Sequence, residues 1–310
     1  MGRREQWVHA SSREGRTLGQ RRRDHRSTAT GAVAASALNG IRRPTLPYGF
    51  SPFEVGAEAE ELEFRAADGV RLAGWWLDQP DSEIVVICAH GHRSSMADML
   101  GIGPGLWRAG HSVFLFDFRS RGLSDDGPMS LAHREQLDLR AAVDLVTGRR
   151  PGARIAVVGF SMGASVALLC AADDPRIGFL VLDSPFASMR GVVAHALRSL
   201  HLPAKPLLPV ASLMNRALHG YSYAHVRPVD VIAQIPPRPV LLLHGTEDSI
   251  VPFSEAELLV EAVGRDHVEF VPFDGADHCG GYFADRPGYI ALVDDFLRRS
   301  LGAAAPGGAS

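Results

Sequence analysis

Three residues whose side chains can carry acyl transfer occur along the chain in the order Ser161, Asp248 and His278. A serine hydroxyl becomes a nucleophile when a histidine takes its proton, and a carboxylate can hold that histidine in the required tautomer. Each of the three follows an apolar run typical of a buried strand. Because the carboxyl ends of parallel strands meet at one edge of a sheet, we expect these distant segments to form one site.

Ser161 is the centre of GFSMG, residues 159–163, a G-x-S-x-G pattern. The β-branched run at 155–158 predicts a strand before it, and the small and aliphatic residues at 164–172 predict a helix after it. This context indicates a sharp strand-to-helix turn that exposes the serine on strained backbone, with no room for a side chain at either glycine. The alternative is a glycine-rich turn in which the serine only caps the helix.

Asp248 is the residue that we expect to orient the histidine. It follows the apolar run VLLLHG and precedes a predicted helix near residue 254. An aspartate in this place could instead form a local turn or cap that helix. Glu247 competes with it locally, and Asp183, which also ends a predicted strand, is the stronger rival.

His278 is the candidate base among thirteen histidines. It lies in GADHCGG, after the last predicted strand and downstream of both the serine and the acid. Asp277, His278 and Cys279 together could suggest a zinc site, but no second ligand group with the correct spacing accompanies them.

The loop HGHRSS, residues 90–95, follows another buried strand. Acyl transfer through a serine needs hydrogen-bond donors where the tetrahedral oxyanion forms. We assign the backbone N–H groups of His92 and Met162 to this role. His90 is expected to pack or to cap the loop, because Gly91 turns the chain immediately after it.

Alternating strands and helices predict an α/β fold with a mostly parallel sheet of about eight strands and helices on both faces. The predicted strands are 61–65, 70–77, 84–89, 113–118, 155–159, 179–182, 240–243 and 268–271. The predicted helices lie near 97–109, 131–147, 162–172, 254–263 and 287–300.

The ends of the chain differ from its middle. Residues 1–50 are predicted to be a disordered basic arm and linker, because eight arginines fall within the first 26 residues and aliphatic residues are sparse. Residues 51–300 form the predicted domain, and 301–310 a flexible tail. Alternation stops at 187–228, which predicts a small helical lid. Its Leu and Met residues would line an apolar pocket or pack on the core.

Composition excludes several classes of function. The net charge of −3 and the pI near 6.5 do not indicate the basic surface that binds nucleic acid. No apolar run reaches the length of a membrane span, so no membrane contact is expected. Three widely spaced cysteines without a C-x-x-C pattern favour a reducing compartment, and we expect a cytoplasmic protein.

The stretches HGHRSS, GFSMG, LLLHGTEDSIVP and GADHCGGY resemble the α/β-hydrolase superfamily. The resemblance covers residues 58 to 300 and is closest to short-lid serine hydrolases of the esterase and lipase type, in the S9-peptidase-like or BAAT-like group. It implies a catalytic triad and no metal or organic cofactor. One segment departs from the family: DFRSRGLS, residues 117–124, has Ser120 where the family has glycine. Because that loop is expected to flank the pocket, the departure bears on substrate preference.

The resemblance implies hydrolysis of a small-molecule acyl ester through an acyl-enzyme. Thioesters and amides are alternative substrates, because the same triad serves all three leaving groups. A different class of function, a hydrolase fold that binds a ligand without turning it over, also stays open. A further alternative is action on lipid at a membrane surface, with the basic arm steering the protein.

Overall fold

Apolar runs of the sequence form the eight strands of a single sheet in the computed structural model, which describes residues 50–304. The strand order is β1-β2-β4-β3-β5-β6-β7-β8. β1 and β2 pair antiparallel, as do β2 and β4, and every other pair is parallel. The sequence predicted this α/β fold and its mostly parallel sheet correctly.

The strands lie within two residues of their predicted bounds at every end. Their bounds are β1 Glu60–Arg65, β2 Arg71–Leu77, β3 Ile84–Ala89, β4 Ser112–Phe116, β5 Arg154–Phe160, β6 Ile177–Asp183, β7 Val240–Gly245 and β8 Glu269–Phe273. All residues of β3, β4 and β7 are buried, as expected for central strands that are covered on both faces.

Eight α-helices accompany the strands within residues 50–304. Their bounds are α1 Gly103–Arg108, α2 Glu135–Arg149, α3 Met162–Asp173, α4 Met189–Ser199, α5 Ala204–His219, α6 Phe253–Val263, α7 Gly281–Ala284 and α8 Arg286–Ala304. The helix predicted near 97–109 is a 3₁₀ turn followed by α1, with Pro104 in its first turn. α8 continues beyond residue 300, where the sequence predicted the domain to end.

Two hydrophobic clusters cover the two faces of the sheet. Alternate residues of each central strand point to opposite faces, so Val85 and Ile87 belong to one cluster and Val86 and Cys88 to the other. The first cluster includes α2, α3 and α6, and the second includes α1 and α8. The sequence predicted helices on both faces, and this is confirmed.

The region 187–228, called the cap segment below, contains α4 and α5. Its buried residues Met189 and Tyr221 join the cluster on the α2 and α3 face, as does Phe186 immediately before it. Within residues 50–304, no helix combines the length and apolar character that crossing a bilayer requires. All but the last residue of the predicted arm and linker, 1–50, and the last six residues of the predicted tail lie outside the described residues.

Candidate active site

Ser161 stands at the junction of β5 and α3 in a conformation that L-residues rarely adopt, with φ 52° and ψ −115°. Two hydrogen bonds hold it there: its N–H donates to Asp183 O over 2.8 Å, and its carbonyl accepts from Ser165 N–H over 3.1 Å. The side chain is half-buried. The strained turn that the sequence predicted is therefore present.

Both glycines of GFSMG are required by close backbone contacts. A Cβ on Gly163 would lie 2.1 Å from Ala89 O, and one on Gly159 would lie 2.6 Å from Ala164 Cα. Both contacts involve backbone atoms, which cannot swing aside. The collisions expected from the sequence are confirmed, and they explain why the turn can bring α3 so close to β3.

Asp248 and His278 meet although 30 residues separate them. His278 Nδ1 lies 2.7 Å from Asp248 Oδ2, and the Asp248 side chain has no solvent exposure. Asp248 Oδ1 accepts from the N–H groups of Ile250 and Val251 at 2.9 and 2.8 Å. One oxygen thus closes a local turn while the other contacts the ring, so Asp248 forms the expected local turn and also reaches His278.

Hydrogen bonds determine the charge of Asp248. Burial alone would raise its pKa, but the contact with His278 and the two backbone donors outweigh burial and lower the pKa below its ordinary value. A carboxylate that accepts from Nδ1 leaves Nε2 of His278 free to receive a proton. His244 Nε2 also approaches Asp248 Oδ2, at 3.4 Å.

Ser161 and His278 face the same cavity, of about 380 Å³. The His278 side chain is 20% exposed, so the ring reaches this space from the loop after β8. Among the described residues, no hydrogen bond joins the Ser161 hydroxyl to the ring. The contact between Asp248 and His278 is therefore formed, while His278 and Ser161 share a cavity without a hydrogen bond between their side chains in the described residues.

Asp183 and Glu247, the rival acids, lie elsewhere. Asp183 is buried, and its Oδ2 accepts from the Tyr289 hydroxyl over 2.7 Å. Burial raises the pKa of Asp183 to about 6. Glu247 is exposed to solvent. Of the three acids considered, Asp248 is the one in contact with His278.

The loop after β3 packs against the nucleophile. A Cβ on Gly91 would lie 3.4 Å from Ser161 Cβ, so the backbone of residues 91–92 borders the serine. Within residues 50–304, neither the N–H of His92 nor that of Met162 donates to another group. Two free donors next to a serine are the arrangement that an oxyanion needs.

The side chains of the two loop histidines have different environments. His90 is buried, and its ring joins Gly91 O at 2.8 Å to the Phe118 N–H at 3.1 Å, so it ties two loops together as the sequence indicated. His92 lines the cavity, and burial lowers its pKa to about 4. His92 is therefore neutral at pH 7.

The loop at residues 117–124 flanks the site, as expected, and contributes no residue to the walls of the cavity. Asp117 Oδ1 accepts from the Met96 N–H over 2.9 Å, which fixes the end of the loop that begins at His90. Ser120, in place of the glycine of the family pattern, has φ 56°. Its hydroxyl donates to Gly127 O and accepts from Gly127 N–H, both at 2.9 Å, which compensates for the left-handed backbone.

The walls of the cavity were missed by sequence reasoning. They are mainly apolar and come from the 3₁₀ turn before α1, from the two residues that join this turn to α1, from the end of β5 and from α7. The apolar residues are Met99, Ile102, Phe160, Tyr282 and Phe283. Arg286 lies at the rim, over the rings of Tyr282 and Phe283 at 5.7 and 5.8 Å. The one indication of these walls in the sequence was the pair Tyr282–Phe283, directly after GADHCGG.

The cap segment does not contribute to this cavity. All lining residues come from 91–102, 160–161 and 278–286. Of the two alternatives for the Leu and Met residues of the lid, lining the pocket is wrong, because the cap segment packs on the α2 and α3 face and contributes no residue to the cavity. Its buried residues pack on the core, the other reading, but several of its Leu and Met residues remain exposed.

Comparisons with known proteins agree with this architecture. A model of the serine aminopeptidase S33 family matches residues 80–234. The chain is 30% identical to YqkD of Bacillus subtilis over 263 residues, which covers 83% of this chain and 85% of that protein. It is 26% identical to bem46 of Schizosaccharomyces pombe, with coverage of 86% and 84%.

A similar solved structure is the Pyrococcus furiosus esterase Pf2001. Its TM-score is 0.70 at 26% identity, and the match covers 84% of this chain and 97% of that chain. A serine hydrolase from Xanthomonas campestris, XC6422, has a TM-score of 0.54 at 22% identity, with coverage of 78% and 94%. The latter similarity is one of fold.

Proposed function

The chain belongs to the α/β-hydrolase superfamily of serine hydrolases, and from that premise we propose that it hydrolyses carboxylic esters through an acyl-enzyme on Ser161. The observation that carries the proposal is the 2.7 Å contact between His278 Nδ1 and Asp248 Oδ2, made by a histidine that faces the same cavity as Ser161. The similarity to an esterase of known structure supports esters over other acyl compounds.

Ser161, Asp248 and His278 each act through a particular atom in the proposed reaction. His278 Nε2 takes the proton of the Ser161 hydroxyl while Oγ attacks the acyl carbon, and Asp248 stabilises the cationic ring. The tetrahedral intermediate collapses when the C–O bond to the alcohol breaks and His278 gives its proton to the leaving oxygen. Water, deprotonated by the same Nε2, then attacks the acyl-enzyme and releases the acid.

The backbone N–H groups of His92 and Met162 stabilise the negative oxygen of both tetrahedral intermediates. Support comes from their place beside Ser161 and from the absence of any other acceptor for them within the described residues. Met162 is also the first residue of α3, so the positive end of that helix dipole lies at the oxyanion.

The cavity walls define the acyl side of the substrate. Met99, Ile102 and Phe160 are buried apolar residues next to the nucleophile. A volume of about 380 Å³ accommodates a short or medium acyl chain. We therefore expect the turnover of p-nitrophenyl esters to rise with acyl length up to a medium chain and then fall.

A substrate panel tests the proposal. The panel contains p-nitrophenyl esters of increasing length, an acyl thioester and an aminoacyl p-nitroanilide, because the matching family model is one of serine aminopeptidases. Esters are expected to be turned over fastest, and Ser161→Ala should lower kcat by about 10⁴-fold or more. Faster cleavage of the anilide would establish the peptidase alternative instead.

Labelling by a fluorophosphonate separates an enzyme from a binding protein of the same fold. Such a probe reacts with an activated serine, so wild type should be labelled and Ser161→Ala should not. Wild-type protein that binds esters but neither reacts with the probe nor turns over any substrate would overturn the proposal.

A further inference from the structure

Exposed apolar side chains are concentrated on the cap segment. Half of the large apolar side chains that residues 50–304 leave exposed lie between residues 200 and 218. They are Leu200, Leu202, Val210, Leu213, Met214 and Leu218, and Leu218 is 70% exposed. Only Ala204 and Leu208 of α5 are buried, against α4. α5 therefore turns a continuous apolar surface to solvent, which a monomeric protein rarely does without a partner.

The charge of this region has one sign. Residues 184–229 contain no Asp or Glu but have five cations, namely Arg190, Arg198, Lys205, Arg216 and Arg227. Arg227 pairs with Asp230. Within the described part of the chain, the other four have no ion-pair partner. The net charge of −3 for the whole chain conceals this strongly basic region.

Two of the unpaired arginines share a groove formed by α4, α5 and the loop after α5. Arg190 and Arg216 line a cavity of about 240 Å³ together with the polar side chains of Ser212, Ser222 and Tyr223. Exposed Leu213 forms part of the same wall. Guanidinium and hydroxyl groups in one concavity can donate hydrogen bonds to a phosphate group. The apolar side chains at its rim can contact the acyl chains beneath a lipid headgroup.

We propose that the cap segment docks on the surface of an anionic phospholipid bilayer, with the apolar face of α5 in the interface and a headgroup phosphate between Arg190 and Arg216. A second copy of the chain fits this face poorly, because two surfaces of the same charge would meet. The chain's own N-terminal region fits no better, since eight arginines fall within its first 26 residues. An acidic protein would satisfy the cations, but it would not need the exposed apolar face of α5 that lies among them.

The location of the cap segment is compatible with catalysis at such a surface. α4 contacts the loop that carries Asp248, since His195 Nε2 lies 2.9 Å from Ser249 O. The cavity beside Ser161 is lined by other segments, so docking through α5 would leave it open. The proposal replaces the expectation from overall composition that the protein makes no membrane contact, and it does not depend on the ester specificity.

Co-sedimentation of the full chain with vesicles tests the proposed docking on a bilayer. Vesicles rich in phosphatidylserine are expected to bind wild-type protein, pure phosphatidylcholine vesicles much less, and high salt should weaken binding. The double variant M214N/L218N should lower the partition coefficient about tenfold. R198Q/K205Q should lower it about fivefold for each cation removed at low salt. The control L258N changes an exposed leucine of α6 and should bind like wild type.

Three results would overturn the proposal. Equal binding to both vesicle types would remove the role of charge. Binding that survives both cap variants but is lost in R21Q/R22Q/R23Q would place the contact in the N-terminal region. Dimerisation of wild type that M214N/L218N abolishes, without vesicle binding, would identify a second copy as the occupant. Hydrolysis of a soluble ester by each variant verifies its folding and separates this result from the proposed function.

Discussion

Asp183 and Asp248 stand at the ends of neighbouring parallel strands, yet their surroundings give them opposite properties. Asp183 is the last residue of β6, while Asp248 lies three residues beyond the end of β7. The side chain of Asp183 is enclosed within the sheet edge, where hydroxyl groups of Ser184 and Tyr289 are its donors. Asp248 has room to reach over the edge to His278. Both acids therefore lie at the carboxyl end of a strand, but Asp248, three residues beyond its strand, is the one that can orient a histidine.

The protonation of the two carboxyls follows from these donors. Two backbone N–H groups and a histidine ring lower the pKa of Asp248 in spite of its burial. Neutral hydroxyl groups only partly offset the burial of Asp183, and its pKa rises to about 6. Asp248 is thus held as an anion, while Asp183 takes up its proton at a higher pH than usual, near pH 6.

The largest effect is expected from Asp248→Asn. An amide in this place donates to His278 Nδ1 and thereby forces the proton onto Nε2, where the Ser161 proton must go. We predict a loss of about 10⁴-fold in kcat for a p-nitrophenyl ester. The matched variant Asp183→Asn should stay within about tenfold of wild type, because it does not touch the ring. Equal losses in both variants would erase the distinction between the two acids.

Asp183→Asn should instead change how stability depends on pH. The folded pKa of Asp183, about 6, exceeds its ordinary value of 3.8, so the folded state binds the proton more tightly. This contribution favours folding below pH 3.8 and is lost as the pH rises to 6. Asparagine cannot ionise, and its advantage over wild type should therefore grow by about 2 kcal/mol between pH 4 and pH 7. Urea unfolding across this range measures it, and a constant difference would contradict the prediction.

Asp248→Ala separates the two roles that one carboxylate plays. Both Asp248→Asn and Asp248→Ala lose the correct ring contact, but asparagine keeps an oxygen for the N–H groups of Ile250 and Val251. Alanine leaves both donors unsatisfied, one of them on buried Val251. We expect Asp248→Ala to be less stable than Asp248→Asn by about 2 kcal/mol in denaturant unfolding at pH 7. Equal stabilities would mean that the turn closes without this side chain.

The sequence could predict the sheet because buried strands are continuous apolar runs, and Ile84–Ala89 coincides with β3. It could also bring Ser161, Asp248 and His278 to one edge, since the carboxyl ends of parallel strands share that edge. It favoured Asp248 but left Asp183 as a serious rival, because position at a strand end does not show which side chain reaches the histidine.

The cavity and the cap segment were harder to predict for a different reason. Tyr282 and Phe283 lie on the four-residue helix α7, which is too short to show a periodic pattern. The cap segment has the apolar residues of a lid, and only its packing on the α2 and α3 face reveals that these residues turn away from Ser161. Both features depend on contacts between distant segments, which local patterns do not record.

Tyr289→Phe provides the smallest and most selective test of the Asp183 environment. The ring of Tyr289 stacks near Phe160 and Phe273, with centroid distances of 6.5 and 5.9 Å, so phenylalanine keeps the packing. Only the hydroxyl donor to Asp183 is lost. We expect a destabilisation of about 1.5 kcal/mol at pH 7, where the carboxyl is ionised, and less at pH 4.5.

Tyr289→Phe should destabilise the Asp183→Asn variant less than it destabilises wild type, because a neutral acceptor gains less from the hydroxyl. A double-mutant cycle measures this coupling. A cost for Tyr289→Phe that is independent of both pH and residue 183 would show that the tyrosine only fills space. In that case the pKa of Asp183 would be set by burial alone, and the contrast with Asp248 would rest entirely on the backbone donors of the loop after β7.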